Sequence, residues 1–169
     1  LDSARKVAEG TGGYPLEVDV SNAKSVEQMK IDIFKEHEKV DIVVNNAGTT
    51  HLPAPMETIE EDEFDRVFNV NCKSVYLTAK HFVPHFKENK SGVILNIAST
   101  AGVSPRPNLN WYNSSKGWMI LASKTMAVEL APFGIRVNVV NPVAGETPLL
   151  KSFLGEDTPE MRRKFLSTI

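Results

Sequence analysis

Two rhythms of apolar residues alternate along this chain. Short, nearly unbroken apolar runs are separated by longer stretches in which apolar residues return every third or fourth position. The first pattern reads as strands covered on both faces, the second as helices with one buried stripe. The runs predict strands at 14–20 (Y-P-L-E-V-D-V), 40–46, 92–98 (G-V-I-L-N-I-A) and 136–142 (R-V-N-V-V-N-P). Helices are predicted at 23–38, 60–88 and 111–131, with the end of another at 1–9 closed by Gly10 and Gly12-Gly13. In 23–38 the stripe is Val26, Met29, Ile33 and Phe34, and Ser21 is read as the cap. In 60–88 the buried faces fall to Phe64, Val67, Phe68, Val75 and Phe82, and Pro84 is expected to bend or end the helix early. Thr158-Pro159 reads as a cap followed by proline in the first helical turn. The apolar segment 145–155 reads as a loop suited to a lid. Strands alternating with helices, without internal repeats, imply one α/β domain over 1–169 with a parallel sheet.

Composition narrows the function. A hydrophobic fraction of 41% and a net charge of −2 favour neither disorder nor a nucleic-acid footprint. No apolar run approaches the ~20 residues of a membrane span. One cysteine, Cys72, excludes an internal disulfide framework and suits a reducing, cytoplasmic setting. His81 and His85 are spaced i,i+4 but lack a third ligand at metal-site spacing, so no metal is expected. Lys35, His37 and Lys39 alternate with Glu36 and Glu38 as a mixed solvated face, and Arg162-Arg163-Lys164 reads as surface.

The chemistry concentrates around Tyr112 and Lys116. Four residues apart in W-Y-N-S-S-K-G, on a helix, they project from one face. A cation one turn from a phenol favours phenolate and makes tyrosine usable for proton transfer near neutral pH. By itself such a pair is most often a core-edge ring and a solvated amine. Ser99 ends the apolar run 92–98, at the strand end where open α/β sheets bind ligands. Its plain alternative is a serine capping a turn. The run 40–46 leads into N-N-A-G at 45–48, whose small residues let a flat ligand approach the backbone, and the last run leads into N-P-V-A-G-E-T at 141–147.

N-N-A-G, then Ser99, then Y-x-x-x-K, then N-P-V-A-G-E-T, in this order, resemble the short-chain dehydrogenases/reductases over nearly the whole chain. The last motif is similar to that of 3-oxoacyl-carrier-protein reductases and glucose dehydrogenases. The resemblance implies a Rossmann-like, doubly wound parallel sheet. It also implies hydride transfer between a nicotinamide dinucleotide, NADP or NAD with NADP the expected form, and a small carbonyl or alcohol substrate, interconverting a ketone and a secondary alcohol. It assigns Ser99 to the substrate oxygen, Tyr112 to proton transfer, and Lys116 to the tyrosine and the nicotinamide ribose. Asn71, in V-N-C-K-S, would hold a water in the proton relay; read from the residues alone it is a helix-interior Asn bonded to nearby backbone. Asn45, Asn46, Ala47 and Gly48 would line the adenine ribose side, and Asp19 and Val20 the adenine. Pro142, Val143, Gly145 and Thr147 would border the nicotinamide, with Val143 standing where the family more often has glycine. Related enzymes pair their two long helices, so 60–88 and 111–131, carrying Tyr76, Trp118, Met119 and Met126, imply a homotetramer, or at least a dimer.

The family's glycine-rich phosphate turn has no counterpart here. Thr11-Gly12-Gly13 follows a helix and precedes a strand, the reverse of what that turn requires. The sequence is therefore expected to be an interior portion of such an enzyme, without its first two strands and its last helix and strand. In the order 3-2-1-4-5-6, segment 14–20 would be strand three and 40–46 strand four. The first should then stand apart from the second with no strand between them. A non-catalytic scaffold of the same fold, or an inactive truncated fragment, is the alternative reading.

Overall fold

The computed structural model describes residues 2–145, 147–154 and 158–167. Helices α1 (Asp2–Thr11) and α2 (Ala23–Glu36) precede strand β1 (Ile42–Asn45). Next come α3 (Glu61–Phe68), a π-helical turn (Asn69–Lys73), α4 (Ser74–Asn89) and β2 (Gly92–Ile97). Then follow α5 (Asn110–Leu130), β3 (Ile135–Val140), α6 (Pro148–Leu154) and α7 (Pro159–Leu166). The three strands form one parallel sheet in the order β1-β2-β3. No helix among the described residues is long and apolar enough to cross a membrane.

The apolar spacing accounts for the packing. Phe82 and Phe86 of α4 meet Ile94 of β2, Ile135 and Val137 of β3 and Leu130 of α5 in one buried cluster. Met29, Ile33 and Phe34 of α2 close it from outside. Each such side chain contributes roughly 1.5–3 kcal/mol when fully buried. A second cluster joins Val75, Ala98 and Met119. Gly92 is required where it stands, because a Cβ there would lie 2.4 Å from the Phe86 ring.

A polar chain runs through this core. Asn96, fully buried on β2, accepts from Asn45 Nδ2 at 2.7 Å and donates to Ser123 Oγ on α5 at 2.8 Å. Thr78 Oγ1 of α4 donates to Asn45 Oδ1 at 2.9 Å, and Ser123 donates to the Met119 carbonyl at 2.7 Å. Asn45 and Asn96 are register partners in the sheet. The chain thus ties two strands to two helices.

Several expected elements come out differently. Segment 14–20 is not a strand and pairs with no other segment among the described residues. It is held instead by polar bonds to the start of α2, with Asp19 N donating to Ser25 Oγ and Asp19 Oδ1 accepting from Ser21. No backbone pairing joins it to β1, the separation expected of a sheet lacking intervening strands. Ser21 is consequently occupied, and Asn22 caps α2 by accepting from the N–H groups of Lys24 and Ser25. The long helix 60–88 is interrupted by the π turn, and Pro84 does not end it, since α4 runs to Asn89. Pro84 and Lys80 are both exposed, so water can solvate the carbonyl that proline leaves unpaired. Met119 is core rather than surface. Residues 148–154 of the expected loop 145–155 form α6, while Glu146 and Gly155 lie outside the described residues, as does Leu1 of the first predicted helix. Thr158 caps α7 as expected, accepting from Met161 N at 3.2 Å.

Asn96→Leu should orphan Asn45 Nδ2 and one bond of Ser123 inside the core, at about 1–3 kcal/mol for each stranded group. Chemical denaturation of the intact natural protein should show that loss, and an unchanged midpoint would mean the chain of amides is dispensable.

Candidate active site

The ends of all three strands meet at one sheet edge. β1 leads into Asn46, Ala47 and Gly48, all exposed. β2 leads into Ser99, and β3 into Pro142 and Val143. The Ala98 N–H donates to the Val140 carbonyl at 2.8 Å and the Thr100 N–H to the Pro142 carbonyl at 3.1 Å, so the last two ends stay paired beyond the strands.

Ser99 caps the short helical turn Thr100–Gly102, its hydroxyl accepting from Ala101 N at 3.1 Å. That turn presses directly on α5. A Cβ on Gly102 would lie 2.7 Å from the Gly117 nitrogen and 2.7 Å from the Lys116 carbonyl carbon. Only glycine permits this approach, and it brings Ser99 to Tyr112. Both are buried, and they border one small space of about 30 Å3. Phe153 of α6 closes over the ring, centroid to centroid 5.0 Å.

Burial pushes the Tyr112 phenol above its ordinary 10.0, opposed by a hydrogen-bonding interaction with the Ser99 side chain and then by the charge of Arg106. The sequence assigns the lowering to Lys116. In the structure its ammonium lies 6.0 Å from the ring centroid, and Ser99 and Arg106 are the groups that oppose burial. Lys116 is itself buried, and desolvation pulls it down to about 8. The thiol of Cys72, pushed up to about 12 by burial, is neutral at pH 7 and gives the ammonium no counter-charge there.

Lys116 Nζ donates to the Ile97 carbonyl at 2.9 Å. An ammonium carries three donors, and this is its one acceptor among the described residues. Gly48 faces it, since a Cβ there would lie 3.4 Å from Nζ and 3.6 Å from Asn71 Oδ1. A cation with spare donors beside an open glycine fits the hydroxyls of a ribose. Val20 and Asn45 to Ala47 border one cavity of about 250 Å3 beside β1, while exposed Asp19 turns its carboxylate to Ser21, whose bonds lower its pKa.

Other assigned residues play different parts. Asn45 spends its side chain in the buried amide chain rather than at the surface. Asn71, fully buried in the π turn, grips the backbone of Thr49, accepting from its N–H and donating to its carbonyl, both at 2.9 Å. Its amide also donates to Ser115 Oγ at 2.9 Å. It thus pins the loop after Gly48 to α5. Thr147 N donates to the Gly145 carbonyl at 2.8 Å, which turns the exposed chain into α6. His85 is held at the Val40 backbone, 3.2 Å from its nitrogen and its carbonyl. Sequence reading missed Asn96, Ser115 and Arg106. The signal for Arg106 was a basic residue inside the proline-rich stretch between Ser99 and Tyr112.

Comparison with known proteins identifies the family. The family model described as short chain dehydrogenase matches residues 3–157. The 4-formylbenzenesulfonate dehydrogenase of Comamonas testosteroni is 54% identical over 129 residues, covering 76% of this chain and 51% of that protein. The 3-oxoacyl-[acyl-carrier-protein] reductase of Thermotoga maritima is 34% identical over 166 residues, covering 97% of this chain and 65% of that protein. Among solved structures, a 3-ketoacyl-(acyl-carrier-protein) reductase from Brucella melitensis complexed with NADH superimposes with a TM-score of 0.92 at 45% identity. That match covers 99% of this chain and 68% of that one. The chain thus spans between half and two thirds of the length of these curated relatives. With a family model matching nearly its full length and the Ser99, Tyr112 and Lys116 side chains drawn to one sheet edge, the chain belongs to the short-chain dehydrogenases/reductases.

Proposed function

We propose that this chain carries the catalytic part of an oxidoreductase that interconverts a carbinol, typically a secondary alcohol, and the corresponding carbonyl. The observation that carries the reading is the buried Ser99–Tyr112 contact with the Lys116 ammonium behind it. In the oxidative direction the alcohol oxygen gives up a proton to the protein. A nicotinamide dinucleotide, which Lys116 and the open side at Gly48 would hold, would supply or accept a hydride at the substrate carbon. In the reductive direction the Tyr112 hydroxyl donates its proton to the substrate oxygen, in the reverse direction its phenolate takes that proton back, and Ser99 steadies the charge that develops on the substrate oxygen. Lys116 would offer its free donors to the ribose beside Gly48, and Pro142, Val143, Gly145 and Thr147, on the segment after β3, would border the nicotinamide. Asn71 acts as a positioning residue that keeps the Gly48 loop against Lys116, because both of its N–H donors are already taken. The Brucella relative's complex with NADH favours NAD over the NADP expected from sequence.

The exposed face of α4 and α5 favours self-association. Tyr76, Trp118 and Leu121 border a hollow of about 460 Å3, and Leu121 is 66% exposed. A homotetramer using both helices would cover it.

Tyr112→Phe should lower kcat/KM by about 10²–10⁴ or more with dinucleotide affinity nearly unchanged, because only a hydroxyl is lost. Single-turnover hydride transfer measures this, and an unchanged rate removes Tyr112 from the chemistry. For Lys116, the folded pKa of about 8 lies below its ordinary 10.5. The unliganded site is thus cationic below about 8 and loses that charge as pH rises through it. Dinucleotide affinity should therefore fall from ~pH 7 to ~pH 9, and Lys116→Met should bind weakly with no such slope. Over the window from about 8 to 10.5 the unfolded chain binds the extra proton, so unliganded stability should rise there. Trp118→Glu should reduce the assembly mass in sedimentation, whereas a monomeric parent protein at micromolar concentration would contradict the tetramer.

A further inference from the structure

Beside the small Ser99–Tyr112 space lies a wider cleft of about 610 Å3. Arg106, Leu109, Val143, Phe153 and Phe165 border both. The rest of the cleft is neutral, built from prolines and short polar side chains, and Arg106 is the one ionisable group among its described lining residues. Arg106 is half-buried and stacked on Phe165, its guanidinium carbon 4.2 Å from the ring centroid. Among the described residues, no carboxylate lies within ion-pair distance of it. A partly desolvated cation left without a counter-charge is costly. The contact with the ring takes up no N–H donor, and the guanidinium keeps the N–H fork that grips a carboxylate or sulfonate bidentately. The charge also acts on the Tyr112 phenol, which places it within electrostatic reach of the proton-transfer site.

We propose that Arg106 is an anion-selecting residue, and that the substrate is a carbinol or carbonyl compound with a flat apolar body and a carboxylate or sulfonate remote from the reacting carbon. Phe153 and Phe165 supply flat walls for the body. The inference rests on the oxidoreductase reading for the reacting end and on Arg106 for the charged end. The competing role is packing alone, with Arg106 serving only to hold α7 over the cleft through Phe165.

The test uses the intact natural protein and three probes, 4-(hydroxymethyl)benzenesulfonate, 4-(hydroxymethyl)benzoate and uncharged benzyl alcohol. Binding is read by calorimetry without dinucleotide, and turnover by dinucleotide reduction. The parent protein should prefer at least one anionic probe over benzyl alcohol, and the two anions together show which head group fits. Arg106→Gln should cut that preference by about 10–100-fold, the scale of a charge-assisted pair, and Arg106→Lys should restore part of it. No preference in the parent protein, or an equal loss on charged and neutral probes, would overturn the proposal and leave packing as the role of Arg106. If the anion preference in binding holds while no probe is oxidised and Tyr112→Phe changes nothing, the hydride-transfer reading fails and the anion site stands.

Discussion

The rest of the structure depends on two buried amides facing each other across the β1–β2 pair. Asn45 and Asn96 are register partners, and their side chains bond to each other, to Thr78 of α4 and to Ser123 of α5. A shift of one residue between these strands would turn both amides away from their partners, and each stranded group costs about 1–3 kcal/mol. Apolar packing resists such a slip too, but the amides add directional bonds that only one register satisfies. The amide chain therefore sets the register, and the register sets where each strand ends. Ser99 and the Asn46–Gly48 loop reach the same edge for that reason.

From that edge, two close contacts turn strand ends into a site. Gly102 lets the turn after Ser99 touch the backbone of α5 at Lys116 and Gly117. Asn71 ties the loop after Gly48 to the same helix through Thr49 and Ser115. Tyr112 and Lys116 are thereby buried between three segments that are remote in sequence. Burial raises the phenol's pKa and lowers the ammonium's, so both groups are neutralised more readily than in water. The polarity that counters this at Tyr112 comes from Ser99 and Arg106 rather than from the neighbouring lysine. Spacing on one helix brought Tyr112 and Lys116 to one face, but distance and desolvation set their electrostatics.

Where sequence and structure part, local competition explains it. Residues 14–20 carry a strand-like pattern, yet a strand needs a partner for its ladder, and among the described residues this segment pairs with none, although β1 bonds β2 on one side only. Exposed Ile42 and Val44, two residues apart, mark a face of β1 left uncovered. The polar end of segment 14–20 instead bonds to the first turn of α2, which displaces the cap from Ser21 to Asn22. The break in the long helix follows from Asn71. Its amide serves backbone on another loop, and the extra residue of a π turn accommodates that. None of these bonds is visible in apolar periodicity.

The sequence by itself determined the alternation of strands and helices, the parallel sheet, the family, and the residue types of the Ser99–Tyr112–Lys116 set. Those features rest on local spacing and on motifs whose members lie close together or keep a characteristic order along the chain. Tertiary structure decided the amide chain through Asn96, the clamp on Thr49, the burial of Lys116 and the place of Arg106 beside Phe165. Each of these joins segments far apart in sequence, where partner, distance and exclusion of water exist only once the chain has packed.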